Sequence, residues 1–460
     1  MSGTSTQKIA LLAGPILALL AGYLMSAAGF SAEPSVTLAI TVLCVAWWVF
    51  EPIPIPATSL LPLALLPVFG VITPRDVASS YGHPLILLLL GGFILSTALA
   101  SNGAHRRIAL AMVRLFGGNS SRQLVFGFMA AAAVLSMWIS NTATTLMLLP
   151  VALAIIDRSR DPALAKPLLL GIAYAASIGG IGTPIGTPPN VIFMGVYQQL
   201  VGEPITFARW MTWGVPVVLV FVPVAALWLT RELTSRTVPD LPDPGPWRAA
   251  ERRVLFVFAV TALLWVTRQE PFGGWSTWLG AAHSDDYVVA FLAATSLFLI
   301  PNGEGGRLLD WAAAEKIPWG MLILFGAGIA IADAFTQSGL SQTIGALLSG
   351  LSALPVLLTM LCICLAVTFL TEATSNTATT TLLMPILAAA GLGAGMDPRL
   401  LMIPAAMSAS CAFMLPVATA PNVIMFSTGH FSVRTMAQEG FALNLIGAVI
   451  IAVLCYLLIT

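Results

Sequence analysis

The chain has 460 residues, 58% of them apolar and 9% charged, and its 20 basic residues balance its 20 acidic ones. Soluble domains carry roughly 25% charged residues, so this composition excludes an ordinary water-soluble globule and places the chain in a bilayer. Zero net charge, with basic residues scattered over short loops, also excludes a nucleic-acid-binding surface.

A membrane-crossing helix needs about 20 mostly apolar residues. Runs of that kind begin near residues 9, 35, 53, 83, 166, 212, 253, 286, 318, 400 and 440, so an all-α polytopic protein with eleven crossings is expected. The first run has a single Lys8 before it and extends to about Phe30. A signal peptide's apolar region is about 7–15 residues, so this run reads as a span.

Between the fourth and fifth spans, two short apolar arms, 124–139 and 146–156, flank the polar cluster Ser140-Asn141-Thr142-Ala143-Thr144-Thr145. Each arm reads as too short to cross, which predicts a re-entrant hairpin; a non-helical tip at membrane depth needs protein or a water-filled cavity around it. The fifth span is then interrupted by Gly186-Thr187-Pro188-Pro189-Asn190-Val191-Ile192. After the sixth, residues 231–253, with Pro239, Pro242, Pro244 and Pro246, read as a polar linker.

The same pair of interruptions recurs after the ninth span. Arms 354–370 and 382–390 flank Ser375-Asn376-Thr377-Ala378-Thr379-Thr380, and the tenth span is broken at Ala418-Thr419-Ala420-Pro421-Asn422-Val423-Ile424. Thr142 to Thr187 is 45 residues and Thr377 to Thr419 is 42, which marks an internal duplication. Spans two to six and seven to eleven are odd in number, so the second repeat starts on the opposite face, the inverted-repeat arrangement of secondary transporters.

Lys and Arg concentrate in short cytoplasmic loops. With the N-terminus inside and the C-terminus outside, all of them fall on the cytoplasmic side, Arg107, Arg160, Arg236 and Lys316 included, except Arg75, Arg209, Arg268 and Arg399.

Ser, Asn and Thr at a helix start are capping residues. They also offer donors and acceptors beside free backbone N–H groups that favour an anion, while carbonyls freed at a preceding helix end suit a small hard cation. The prolines of the two breaks free further carbonyls. Neither motif pair contains Lys or Arg, so an anion would be held by neutral donors, helix dipoles and nearby cations. Among intramembrane acids, Glu51 and Asp333 lie toward span ends and are expected to reach water, whereas Glu372, three residues before Ser375, is a candidate for ordering the hairpin, for a cation site or for a solvated cavity wall. Cys362 and Cys364 read as packing residues. His83, His105, His283 and His430 form no metal spacing and none sits in a motif, which speaks against a hydrolase, since that chemistry needs a nucleophile beside a base.

The two SNT hairpins, the Thr-Pro-Pro-Asn and Thr-Ala-Pro-Asn breaks, and Trp47-Trp48-Val49-Phe50-Glu51-Pro52-Ile53-Pro54-Ile55-Pro56-Ala57-Thr58-Ser59 together resemble the divalent anion/sodium symporter family. The resemblance implies a bacterial inner-membrane homodimer that carries C4-dicarboxylates with Na+ by an elevator movement. Residues 1–120 and 253–350 would form a scaffold, 121–232 and 351–460 a transport domain, and 233–252 a cytoplasmic linker. Carried over by motif, Ser136, Ser140, Asn141 and Gly186 resemble a first sodium site, and Thr371, Ser375, Asn376 and Ala418 a second. Substrate would meet Ser140, Asn141, Thr142, Ser375, Asn376, Thr377 and Thr419, with Thr187 the counterpart of Thr419. Exchangers of the family place basic side chains where sodium would sit; none is visible here, which favours symport over exchange. A tricarboxylate or sulfate is the alternative cargo. Ala420, where relatives often have a second proline, and Thr183-Pro184-Ile185 before Gly186 depart from the pattern and bear on pocket shape.

Overall fold

The computed structural model describes residues 5–116, 120–159, 161, 163–234, 245–269, 272–281, 284–348 and 354–460. Arg160, Arg236, His283 and the linker prolines Pro239, Pro242 and Pro244 lie outside these described residues. Among the described residues every regular element is helical, and one isolated bridge pairs Pro301 with Arg307. Lipid leaves no other solvent for backbone groups, so hydrogen bonding within the segment is what such a sequence can form.

Seven described helices are long and apolar enough to cross a bilayer: Thr6–Ala27, Ala32–Phe50, Pro74–Ser101, Phe207–Leu229, Trp319–Gln337, Val356–Ala373 and Val433–Ile459. Six correspond to expected spans. The seventh, Val356–Ala373, is the first arm of the second SNT hairpin, which the sequence reading took as too short. The runs near 53, 286 and 400 give the shorter helices Ile55–Val68, Asp286–Leu299 and Arg399–Ser408. Proline explains the first of these, since Pro56, Pro62 and Pro67 lie within it.

The hairpin arms are Ser121–Ser136 and Asn141–Arg158 in the first copy, Val356–Ala373 and Asn376–Gly393 in the second. The tips are therefore narrower than expected, because Asn-Thr-Ala-Thr-Thr is already the first turn of each outgoing helix. Thr145 and Thr380 hydroxyls donate back to the carbonyls of Asn141 and Asn376, at 2.7 and 2.8 Å, which satisfies them inside the helix.

The broken spans are Ala165–Gly180 followed by Pro188–Val201, and Arg399–Ser408 followed by Ala420–Phe426. In both, proline falls at the first or second helical position, where its missing N–H costs nothing. The second halves then pack crosswise. Pro188–Val201 lies against Asn376–Gly393 of the other repeat, and Ala420–Phe426 lies against Asn141–Arg158. That exchange brings both tips and both breaks to one place. The close approach of Ala165–Gly180 to the first hairpin requires Gly179, where a Cβ would come within 2.3 Å of Ala133 O.

A second buried cluster joins Cys44, Trp48, Leu66 and Val77 to Leu324, Ile331 and Phe335 of Trp319–Gln337. Two amphipathic helices, Ala104–Phe116 and Leu340–Leu348, were not among the expected elements. The first is tied to the linker by Arg107, which is 7% exposed, pairs with Glu251 at 3.0 Å and donates to the carbonyls of Gly245 and Pro246. Asp333 does not reach water as expected. It is buried and accepts from the amides of Gln199 and Gln337 at 2.9 and 3.1 Å. Glu51 is exposed, as expected, and closes Ala32–Phe50 in a left-handed conformation, φ 47°. Of the cysteine pair, Cys364 is buried and Cys362 exposed.

Candidate functional site

A cavity of about 720 Å³ lies where the two repeats cross. Ser140, Asn141, Thr142, Gly186 and Thr187 line it from the first repeat, and Ser375, Asn376, Thr377, Ala418 and Thr419 from the second. Every residue expected at the site is thus brought to one wall or another, except Ser136 and Thr371. Those two are fully buried one layer behind.

Their role is visible in a pair of matching bonds. Ser136 Oγ donates to Asn141 Oδ1 at 2.5 Å, and Thr371 Oγ1 donates to Asn376 Oδ1 at 2.6 Å. Each hydroxyl orients the asparagine amide at the tip, and the Nδ2 donors carry no hydrogen bond among the described residues. Thr371 Oγ1 is also 3.0 Å from Ala409 O, at the end of the preceding helix segment.

Four helix N-caps, Ser140, Thr187, Ser375 and Thr419, line this single cavity. Three of the helices they begin are 14 to 18 residues long. Their positive ends, together with the unpaired first-turn N–H groups of Asn141–Arg158 and Asn376–Gly393, make the cavity attractive to an anion without any charged side chain in the motifs; Pro188–Val201, which begins with two prolines, contributes its dipole alone. The hydroxyls divide diagonally. Ser140 Oγ accepts from Ala143 N at 3.2 Å and Thr419 Oγ1 from Asn422 N at 3.3 Å, as caps. Among the described residues Ser375 and Thr187 make no cap bond, and Thr187 Oγ1 accepts a long contact, 3.5 Å, from Ser410. All four keep a proton to donate.

The asparagines of the two breaks are structural. Asn190 Nδ2 donates to Gly180 O and Thr183 O at 2.9 and 2.7 Å, and Asn422 Nδ2 to Ala412 O and Leu415 O at 2.9 and 3.0 Å. One side-chain amide per break replaces the bonds that the helix gives up.

The oxygens also fit a small cation. A Cβ on Gly180 would lie 2.9 Å from Asn141 Oδ1 and 3.1 Å from Gly186 O, so the two oxygens converge over a surface that carries no side chain. Neutral amide, hydroxyl and carbonyl oxygens are the ligands of hard cations. In the second copy Ala412 and Ala418 occupy the corresponding positions. Among the described residues no group of three His, Cys, Asp or Glu could hold a metal ion.

Two charged groups at the cavity were not expected there. Lys316, in the turn before Trp319–Gln337, and Glu51 both line it. Glu51 lies within the motif of residues 47–59, at the end of Ala32–Phe50, whereas the surroundings of Lys316 are loop-like and carry no motif; only the tertiary approach of 311–319 puts Lys316 there. Glu372, the candidate acid, is buried and accepts four hydrogen bonds from the second break and from Asn444. It orders the hairpin end against the break.

Residues 45–399 match the family model CitMHS, described as citrate transporter. The chain is 40% identical to the sodium-dependent dicarboxylate transporter SdcS of Staphylococcus saprophyticus, over 98% of this chain and 91% of that one. The SdcS proteins of Staphylococcus aureus strains, such as NCTC 8325, match at the same identity and coverage. Among solved structures, the Alcanivorax borkumensis YdaH transporter superposes with a TM-score of 0.57 at 16% identity, covering 82% of this chain and 86% of that one; this likeness concerns the fold. The chain is a multi-pass membrane transporter that belongs to the CitMHS family, the divalent anion/sodium symporters that its duplicated motifs resemble.

Proposed function

We propose that the protein is a Na+-coupled symporter of C4-dicarboxylates such as succinate. The observation that carries this reading is the convergence of both SNT tips and both broken spans on one cavity, with four helix N-caps facing it and no basic residue among the motifs. Apart from Lys316 at the cavity wall, the anion meets dipoles and neutral donors, so bound cations balance the rest of its charge, and cation-dependent binding favours symport. The SdcS relatives, named sodium-dependent dicarboxylate transporters, support the same cargo and ion.

In this reading Ser140, Asn141, Gly186 and the buried Ser136 frame one sodium site, and Ser375, Asn376, Ala418 and Thr371 the other. The carboxylates of the substrate meet Ser140, Asn141, Thr142 and Thr187 on one side and Ser375, Asn376, Thr377 and Thr419 on the other. The repeats are inverted, the hairpins enter from opposite faces, and residues 121–232 and 351–460 move as a transport domain against a dimerising scaffold of 1–120 and 253–350. The N-terminus is cytoplasmic and the C-terminus external.

Proteoliposomes given an inward Na+ gradient should accumulate labelled succinate and should not do so with choline. Equal uptake in choline, together with a requirement for internal dicarboxylate, would establish exchange instead. The family model's description favours a second cargo, citrate, and Lys316 at the cavity offers a cation for a third carboxylate. Competition of unlabelled citrate and sulfate against succinate ranks the three.

A further inference from the structure

Asp333 is a buried acid that lines neither the candidate cation sites nor the substrate wall. It lies near the end of Trp319–Gln337 and is 7% exposed. Its Oδ1 accepts from Gln199 Nε2 at 2.9 Å and from Gln337 Nε2 at 3.1 Å, and its Oδ2 from Gln337 Nε2 at 3.1 Å. Gln337 is one turn further along the same helix, whereas Gln199 comes from Pro188–Val201, the second half of a broken span. One turn before Gln199, a Cβ on Gly195 would lie 3.0 Å from Ile329 Cδ1. Gly195 and Gln199, like Ile329 and Asp333, are four residues apart and share a helix face, so the two helices meet along one smooth track.

The ends of this track differ. Glu51, Ala100, Lys316 and Pro318 are exposed and line the cavity, and they stand at the ends of Ala32–Phe50 and Pro84–Ser101 and just before Trp319–Gln337. The cavity mouth is therefore at that end of the spans, which the loop charges assign to the cytoplasm. Asp333 stands about 21 Å further along Trp319–Gln337 than Trp319. The molecule is open where Lys316 lies and closed where Gln199 meets Asp333.

All donors to Asp333 are neutral amides, and no basic side chain pairs with it among the described residues. A buried carboxylate held this way is costly, and losing any one donor makes it more so. Asp286 at the same end makes the contrast. It accepts from Phe207 N at 3.3 Å but is paired with Arg268 at 2.5 Å, so its charge is balanced whatever Phe207 does.

We propose that Gln199 is a positioning residue that latches the carrier in this state: its amide offsets the buried charge of Asp333, and sliding of Pro188–Val201 along Trp319–Gln337 exchanges that amide for water at the opposite end. This rests on the reading above, in which residues 121–232 move against 253–350. A hydrogen bond to a charged group outweighs one to a neutral group, so its loss shifts the balance of the two states by about tenfold.

The test uses the full-length protein in detergent, with Cys362→Ser removing the cysteine that is exposed among the described residues. One reporter thiol is added, either Ile329→Cys, 3% exposed against Gly195, or Ala100→Cys at the cavity mouth. Labelling of a buried thiol by a water-soluble maleimide follows the population of the form that exposes it. Gln199→Ala should raise labelling at Ile329→Cys about tenfold without raising it at Ala100→Cys. Asp333→Asn keeps an acceptor and removes the charge, so in that background Gln199→Ala should change labelling at Ile329→Cys by less than about threefold. Should Gln199→Ala not fold, Gln199→Met, of the same length without a donor, takes its place. An effect of equal size with Asp333 and with Asp333→Asn would make the amide a packing group and overturn the inference. A rise at both reporters, which is general loosening, or at neither would also overturn it. If Na+ with succinate changes labelling at neither reporter when Gln199 and Asp333 are intact, the moving-domain reading fails, and this inference with it. A response there without the Gln199→Ala effect overturns the latch alone.

Discussion

Replacing Asn190 or Asn422 removes the one side chain that spans each helix break. Both are fully buried, and each amide bridges carbonyls ten and seven residues upstream, at distances of 2.7 to 3.0 Å. Alanine strips a donor from two carbonyls in each break; Thr183 O and Leu415 O keep a backbone donor, Gly186 N at 3.3 Å and Ala418 N at 3.2 Å, whereas Gly180 O and Ala412 O are left with none among the described residues. A buried polar group left without its partner costs about 1–3 kcal/mol, so the one carbonyl orphaned in each break should cost about 1–3 kcal/mol, within the usual range of destabilising substitutions. Aspartate keeps the shape but turns a donor into a second acceptor facing two carbonyls, so Asn190→Asp and Asn422→Asp should be more damaging than alanine. Thermal unfolding of the purified protein, paired with succinate uptake in proteoliposomes, reads both effects. Among the described residues the Oδ1 atoms of the two asparagines are buried without a hydrogen-bond partner, and this defines the refuting result. If the aspartate variants transport while the alanine variants do not, the oxygen is the working atom and the amide clamp is not.

The serines of the two tips should separate by stability. Ser140→Ala loses a cap bond to Ala143 N and should lower stability by about 1 kcal/mol, whereas Ser375 makes no cap bond, so Ser375→Ala should raise the KM for succinate with Tm unchanged. Gly186→Ala should abolish uptake, because its Cβ would lie 2.4 Å from Gly180 O, while Ala418→Gly at the matching position should retain it. Lys316→Gln should raise KM about two- to fivefold at low salt through weakened attraction of the dianion. That difference should shrink at high ionic strength, and Lys316→Arg should behave as wild type; a salt-independent effect would assign Lys316 a direct contact.

Much of this was legible because a bilayer reduces the sequence to apolar runs and their interruptions. The SNT tips and Pro-Asn breaks stood out as polar islands recurring in order, and they line one cavity. The outgoing arms are longer than their apolar runs for a local reason. Ala-Thr-Thr after each Asn looked like part of the tip, but Thr145 and Thr380 bond back to the helix and extend it to the serine. Ala104–Phe116 and Leu340–Leu348 are short and two-faced, so no apolar run marks them in the sequence. Asp333 looked solvent-bound from its place near a helix end, and only its neighbours Gln199 and Gln337 reveal the burial. Lys316 sits in an ordinary loop sequence; its place at the cavity depends on a tertiary approach that no local pattern records.

The duplication itself separates what the fold needs from what each half does differently. Bonds made identically in both copies, Ser136 or Thr371 to the tip asparagine and Asn190 or Asn422 across the break, describe a skeleton that either half requires. The differences fall together at one junction, where the hairpin end meets the break. In the first copy this junction is closed by backbone proximity: Gly182 lies under Met137, and Gly186 lies so close to Gly180 that no side chain fits. In the second, Met414 and Ala418 replace those glycines, and Glu372 holds the turn through three backbone amides. Closure by steric contact is insensitive to ions, whereas closure by a buried carboxylate depends on whether its charge is balanced. Ion occupancy should therefore alter the second half more than the first. Cysteine labelling at Val417, 81% exposed, should slow when Na+ replaces choline, and labelling at a rate independent of Na+ would contradict the assignment of ion sensing to this junction.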